Sequence, residues 1–356
     1  MPFSALASET THGRRLQRRR KLTFASLAIL AALSTAVGLS IGAVALSPSE
    51  LIGVLFGAGE MNETLSSVIW NLRVPRVLLA LLVGASLACA GAAMQGLFRN
   101  PLADPGLVGV ASGAALAAVA SIVLFRSVAL PAGLHPYLTP FASFTGGMIA
   151  ALLAAKLASH EGQTRTATLL LAGLAINAIA GAGIGLLIQI AGDAALREAT
   201  FWLFGSLAKS GWTELLAAAP ILLLCLFLLP REARALNVLL LGEAEAGHLG
   251  VQVEALKKRV TLLIVLAVAL SVALAGIIGF IGLIVPHLLR LCLGPDHRYL
   301  LPGAAIGGAA LLATADLAAR SMMAPAELPV GILTALVGGP FFLAMLIKMR
   351  GRTELL

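Results

Sequence analysis

Apolar runs of roughly membrane-crossing length alternate with short polar turns along nearly the whole chain. They fall at 22–46, 73–97, 106–125, 139–158, 167–191, 212–229, 260–279, 280–293, 299–319 and 328–347. A helix needs about 20 apolar residues to cross the hydrocarbon core of a bilayer. The pattern therefore predicts an all-α polytopic membrane protein with ten transmembrane helices spanning 22–350, after a basic tail at 1–21. The eighth run is short for a crossing. Gly276, Gly279 and Gly282 blur its start, so 260–293 also reads as one span and a re-entrant piece.

Composition agrees with the pattern. With 59% hydrophobic and 12% charged residues among 356, too little polar surface exists to clothe a soluble globule. A net charge of +8 would suit nucleic acid, but the charges sit in clusters between apolar runs rather than on one basic face. They read as topology signals. Arg14, Arg15, Arg18, Arg19, Arg20 and Lys21 place the N-terminus in the cytoplasm by the positive-inside rule. Ten crossings put Arg99, Lys156, Arg165, Arg231, Arg234, Lys257, Lys258, Arg259, Arg290, Arg298, Lys348, Arg350 and Arg352 on that side, with the C-terminus. Arg73, Arg76, Arg126, Arg197, Lys209 and Arg320 are left on the other side and invite a specific explanation. The first run has a basic flank and Ala43-Val44-Ala45 like a signal-peptidase site, but its apolar stretch exceeds an h-region, so an uncleaved span is expected.

The densest information lies at 73–109. Within 73–97, Gly84, Ala88, Ala92 and Gly96 recur at every fourth position, which lets another backbone approach closely and predicts a helix packed on protein. Arg73 and Arg76 bracket Pro75 at its start, on nearly the same side, where they can meet one acidic patch. At its end, Asn100-Pro101-Leu102-Ala103-Asp104-Pro105-Gly106 stops the helix and turns the chain. The longest polar interruption, 230–259, contains Leu241-Gly242-Glu243 through Gly250-Val251, a pattern of two short helices broken by glycines. Such a pair below a membrane domain suits docking on a cytosolic partner.

These segments, with GFIGLIVPHLLR (279–290), GPDHR (294–298) and ELPVGILTALVGGPFF (327–342), resemble the iron-siderophore, haem and cobalamin permease family of ABC importers. The resemblance covers nearly everything after the N-terminal tail. It implies a type II importer permease fold in the bacterial inner membrane, a homodimer with two ATP-binding-cassette subunits, and a periplasmic binding protein that delivers cargo. By the same resemblance Arg73, Arg76 and Arg320 receive glutamates of the binding protein. Leu241, Gly242, Glu243, Ala246, Gly247, His248, Leu249, Gly250 and Val251 match the segment that seats on the ATPase, and Arg290, Asp296, His297 and Arg298 brace it. Asn100, Pro101 and Leu102 match a constriction at the cytoplasmic mouth, and Thr166 a second one, where Ala167 departs from the expected hydroxyl residue.

No catalytic set is visible. The chain lacks a Gly-Lys dipeptide and so the phosphate-cradling G-x-x-x-x-G-K-[ST] loop, which assigns ATP and Mg to the partner subunit. GAGIG at 181–185 lies within an apolar run and reads as helix packing. Cys89, Cys225 and Cys292 offer neither a disulfide framework nor a metal site. His287 reads as a packing residue rather than a haem ligand, and Asn177 and Gln189 either line the pathway or bridge helices. An ion-coupled secondary transporter would carry ionisable groups near mid-bilayer, and these spans are nearly free of them. Stretches such as MQGLFRNPLADPGL resemble bacterial haem importers, making haem the expected cargo, ahead of ferric siderophores and cobalamin.

Overall fold

Each of the ten apolar runs carries a helix in the computed structural model, which describes residues 3–42, 47–56, 63–125, 134–160, 163–208, 211–323 and 326–353. Arg126, Lys209 and the Ala43-Val44-Ala45 site lie outside the described residues. In chain order the helices are α1 Phe3–Ser40, α2 Pro48–Phe56, α3 Glu63–Ser67, α4 Val74–Leu97, α5 Val110–Leu124, α6 His135–Ala158, α7 Thr166–Ile190 and α8 Asp193–Leu203. There follow α9 Trp212–Leu228, α10 Ala233–Leu239, α11 Glu243–His248, α12 Val253–Ala275, α13 Ile281–Leu293, α14 His297–Met322 and α15 Val330–Thr353. A two-residue antiparallel ladder, Ser159–His160 with Gln163–Thr164, joins α6 to α7.

The protein is an all-helical, multi-pass membrane protein. Among the described residues, seven helical stretches are long and apolar enough to cross a bilayer, while Val110–Leu124, Ile281–Leu293 and Val330–Met345 are shorter. α1 runs unbroken from Phe3 through the basic segment into the first apolar run. α12 ends at Ala275, four residues before the apolar run does, because Gly276 turns with φ +68 against Trp202 O and Gly205. After that non-helical break α13 has 13 residues, roughly 20 Å of helix. α8 follows α7 and lies outside every apolar run.

α4 is the hub. Of its most apolar window, 83% is buried, against 17% for α7, so the small-residue stripe does pack on protein. A Cβ at Gly84 would lie 2.3 Å from Gly308 O, one at Gly308 2.2 Å from Gly84 O, and one at Gly91 2.0 Å from Gly282 O. Backbones this close gain the dispersion contact that stands in for hydrophobic drive in lipid. Gly308→Val is therefore expected to force α14 from α4, at about 1–3 kcal/mol for an overpacked site. Thermal unfolding of the purified protein measures this, and an unchanged midpoint would mean that the contact is loose. GAGIG departs from expectation: only Gly183 is near a neighbour, Leu116, while Gly181 and Gly185 face open space.

Candidate functional sites at the two ends of the bundle

Hydrogen bonds fix which residues share an end. Arg19 and Arg20 donate to Leu291 O (2.7 Å) and Leu293 O (3.1 Å), and the Arg20 guanidinium lies 3.8 Å over the Tyr299 ring. The N-terminal half of α1 thus caps the end of α13, at the basic end of the bundle. By helical rise, Gly38 lies roughly 27 Å away along α1, at the far end.

At the far end the sequence brings Arg73, Arg76 and Arg320 together. The last three carbonyls of α1 have no partner within their own helix. Arg73 donates to Leu39 O (2.7 Å) and Ser40 O (2.9 Å), and Arg320 to Gly38 O (2.8 Å). Cations at this negative helix end are doubly favoured. Arg76 points elsewhere. Its Nε and Nη2 grip the carboxylate of Asp316 at 2.9–3.2 Å, and its Nη1 donates to both oxygens of Glu327 at 2.9 and 3.1 Å. Asp316 also pairs with Arg320 Nε at 3.4 Å, the i,i+4 pair visible in the sequence. The Asp316 side chain is 3% exposed and that of Glu327 40%. Arg76 meets the carboxylates of Asp316 and Glu327, while Arg73 reaches the carbonyl end of α1. Glu327 lies in the turn before α15, a turn pinned to α14 by Leu328 N on Ala319 O at 3.3 Å.

At the basic end, α11 is short and closed by design of its glycines. Gly250 has φ +85, Val251 N bonds Ala246 O at 2.9 Å and Gly250 N bonds Gly247 O at 3.0 Å, the paired bonds of a Schellman cap. Ala246 is fully buried and holds α11 to the bundle, while Leu241 (66%) and Leu249 (63%) stand exposed on either side of it. Glu243 is tied down by Lys257 Nζ at 2.7 Å, and Lys257 also reaches Glu254 at 3.0 Å. His248 and Gly247 are exposed, and Gly242 and Val251 half-buried.

The turn at 294–298 is held to α10 by a residue that the sequence did not mark, Asn237. Its Nδ2 donates to Asp296 at 2.6 Å, and its Oδ1 accepts from His297 N at 2.9 Å and lies 2.7 Å from His297 Nδ1. Burial works against the Asp296 charge. Hydrogen bonds from Arg298 and Asn237, with the Arg298 charge, outweigh it and hold the carboxyl at about 2. Since that is below the unfolded value near 3.9, its contribution is complete above pH 4 and disappears only as pH falls through 2. Asn237→Ala leaves buried partners unpaired, at about 1–3 kcal/mol. A lower unfolding midpoint at pH 7 is expected, and no change would show that Asn237 does not hold this turn. Arg290 turns inward instead, donating to Gln95 at 2.9 Å.

The two predicted constrictions both border this segment. Arg99 ends α4 in a left-handed conformation, φ +51, and its guanidinium comes within 3.8 Å of the Cβ position of Gly242. Asn100 Oδ1 then accepts from Leu102 N at 2.9 Å, shaping the turn, with Pro101 exposed. Thr166 lines a cleft of about 520 Å³ with Glu243, Gly247 and Lys257. Beyond the turn the chain folds back inward: Asp104 lines a cavity of about 110 Å³ with Leu87, Val268 and the break at 277–280. Asn177 bridges helices by donating to Gly106 O at 3.4 Å, Gln189 is exposed, and His287 meets the edge of Phe341.

Comparison with known proteins gives this two-ended arrangement its context. The FecCD transport family pattern matches residues 27–348. The chain is 45% identical to the hemin transport system permease protein HmuU of Yersinia pestis over 94% of its length and 98% of that protein. It is 46% identical to the cobalamin import system permease protein BtuC of Halobacterium salinarum over 80% of its length and 74% of that protein. A solved metal-chelate type ABC transporter in an inward-facing conformation superposes with TM-score 0.80 at 34% identity, covering 92% of this chain and 99% of that one. With a membrane bundle that has no nucleotide-binding loop and a match over nearly all of it, the chain belongs to the FecCD transport family as an ABC-transporter permease subunit, not itself an ATPase.

Proposed function

We propose that this chain is the permease of a haem importer in a bacterial inner membrane, crossing ten times with both termini in the cytoplasm. It works as a homodimer with two ATPase subunits and a periplasmic binding protein. The observation that supports the cargo is the near full-length match to a hemin permease. Cobalamin is the second reading, favoured by the Halobacterium relative.

The basic end faces the ATPases in this reading. Exposed Leu241 and Leu249 flank a helix anchored by Ala246 and supply apolar contacts outside the bilayer, where lipid does not cover them. The far end faces the periplasm, and its arginines receive carboxylates of the binding protein. α7, largely unburied in one copy, offers an apolar face to lipid or to the second copy. ATP-driven closure of the ATPases moves α11, and the turns at Asn100-Pro101-Leu102 and Thr166 beside it open or close the cytoplasmic mouth. Cargo passes between two permeases by alternating access.

Uptake into proteoliposomes holding the permease, its ATPase and its binding protein tests the cargo. ATP-dependent accumulation of haem, with neither a ferric siderophore nor cobalamin accumulated, is expected. Accumulation of cobalamin instead would replace the substrate and keep the architecture.

A further inference from the structure

Arg76 serves two carboxylates of different standing. Asp316 is buried and takes the Nε–Nη2 edge of the guanidinium, the geometry of a bidentate pair. Glu327 takes the remaining prong, Nη1, from a side chain 40% exposed and carried by a turn outside any helix. A buried carboxylate paired in this way is costly to remove, whereas a partly exposed ion pair contributes little and exchanges readily. The far-end cluster thus holds one fixed carboxylate and one replaceable one.

We propose that Glu327 is a built-in stand-in for the docking partner's carboxylate. An acidic side chain of the binding protein displaces Glu327 from Nη1 of Arg76, while Asp316 keeps hold of the other edge and preserves the orientation of the guanidinium. Competition from Glu327 sets the affinity, so that the partner binds tightly enough to deliver cargo and loosely enough to leave. This inference rests on the docking reading of the arginines and goes beyond it by assigning a competitor within the chain.

The test uses the permease–ATPase complex in lipid nanodiscs and the haem-loaded cognate binding protein as probe, with affinity measured by biolayer interferometry. Glu327→Gln and Glu327→Ser both remove the competing charge and are expected to tighten binding about two- to fivefold, the range an exposed pair contributes. Arg76→Lys keeps the charge but loses the fork needed to hold Asp316 and a second carboxylate at once, and is expected to weaken binding at least tenfold. Unfolding midpoints of all three variants establish that they are folded. If Arg76→Lys weakens binding while both Glu327 variants bind no more tightly than wild type, the exchange is overturned and docking at Arg76 stands. Unchanged binding by Arg76→Lys would overturn the docking reading and the exchange with it.

Discussion

Glutamate at both Leu241 and Leu249 is expected to release the ATPase subunits from the permease. The two leucines are 66% and 63% exposed and flank a helix whose other face is held by fully buried Ala246. They are the large apolar side chains that α11 can offer a partner. Burying a charge in an apolar seat without a partner is strongly unfavourable. If each leucine is an anchor contributing about 1.5–2 kcal/mol at the interface, the double variant should bind its ATPase on the order of 100- to 1000-fold more weakly. The permease itself should unfold at its usual temperature, because exposed substitutions seldom change stability by more than about 0.5 kcal/mol. Titration of the ATPase subunit onto nanodisc-held permease measures the loss, and full affinity in the double variant would place the ATPase elsewhere. Gly250→Pro should act differently, leaving both leucines and the assembly in place but distorting the segment that transmits the ATPase movement. Proline cannot adopt the φ of +85 found there, and it deletes the N–H that bonds Gly247 O.

Arg76→Glu is expected to be severely destabilising as well as fatal to docking. It removes the cation that grips buried Asp316 and adds a third carboxylate beside Asp316 and Glu327. Arg320 alone, at 3.4 Å, remains as counterion. Breaking a buried ion pair by removing one partner costs about 3–5 kcal/mol, and the unfolding midpoint should fall accordingly. A variant that melts like wild type would show that Asp316 does not depend on Arg76. The same geometry makes reversal of Arg73, Arg76 and Arg320 together a poor probe of docking, because Arg73 and Arg320 also hold the carbonyl end of α1.

Much of this architecture is legible in the sequence because the bilayer imposes a length scale. Apolar runs mark helices, the small residues of α4 mark the close crossing of α14, and glycines mark the closure of α11. The break at 276–280 is half legible: the glycines signal it, but its place depends on the tertiary approach of Gly276 to Trp202 and Gly205. α8 escaped because its apolar residues are spaced for a surface helix and fall below the signal of a span. Asn237 escaped for a different reason. A lone polar residue on a short helix has no local signal, and its partners Asp296 and His297 lie about 60 positions away in sequence. The arginines stood out by topology, yet their division of labour did not, since helix-end carbonyls and Glu327 become neighbours only after folding.

Stimulation across the membrane tests the central claim most directly, that binding at the far end is coupled to ATP hydrolysis at the basic end. The assembled permease and ATPase are reconstituted in nanodiscs, which leave both faces accessible, and hydrolysis is followed while haem-loaded binding protein is added. The account predicts that hydrolysis rises with occupancy of the binding protein in the wild type, and that the rise is lost in Gly250→Pro while the binding protein still docks. A hydrolysis rate indifferent to the docked binding protein in the wild type, or an undiminished response in Gly250→Pro, would contradict it.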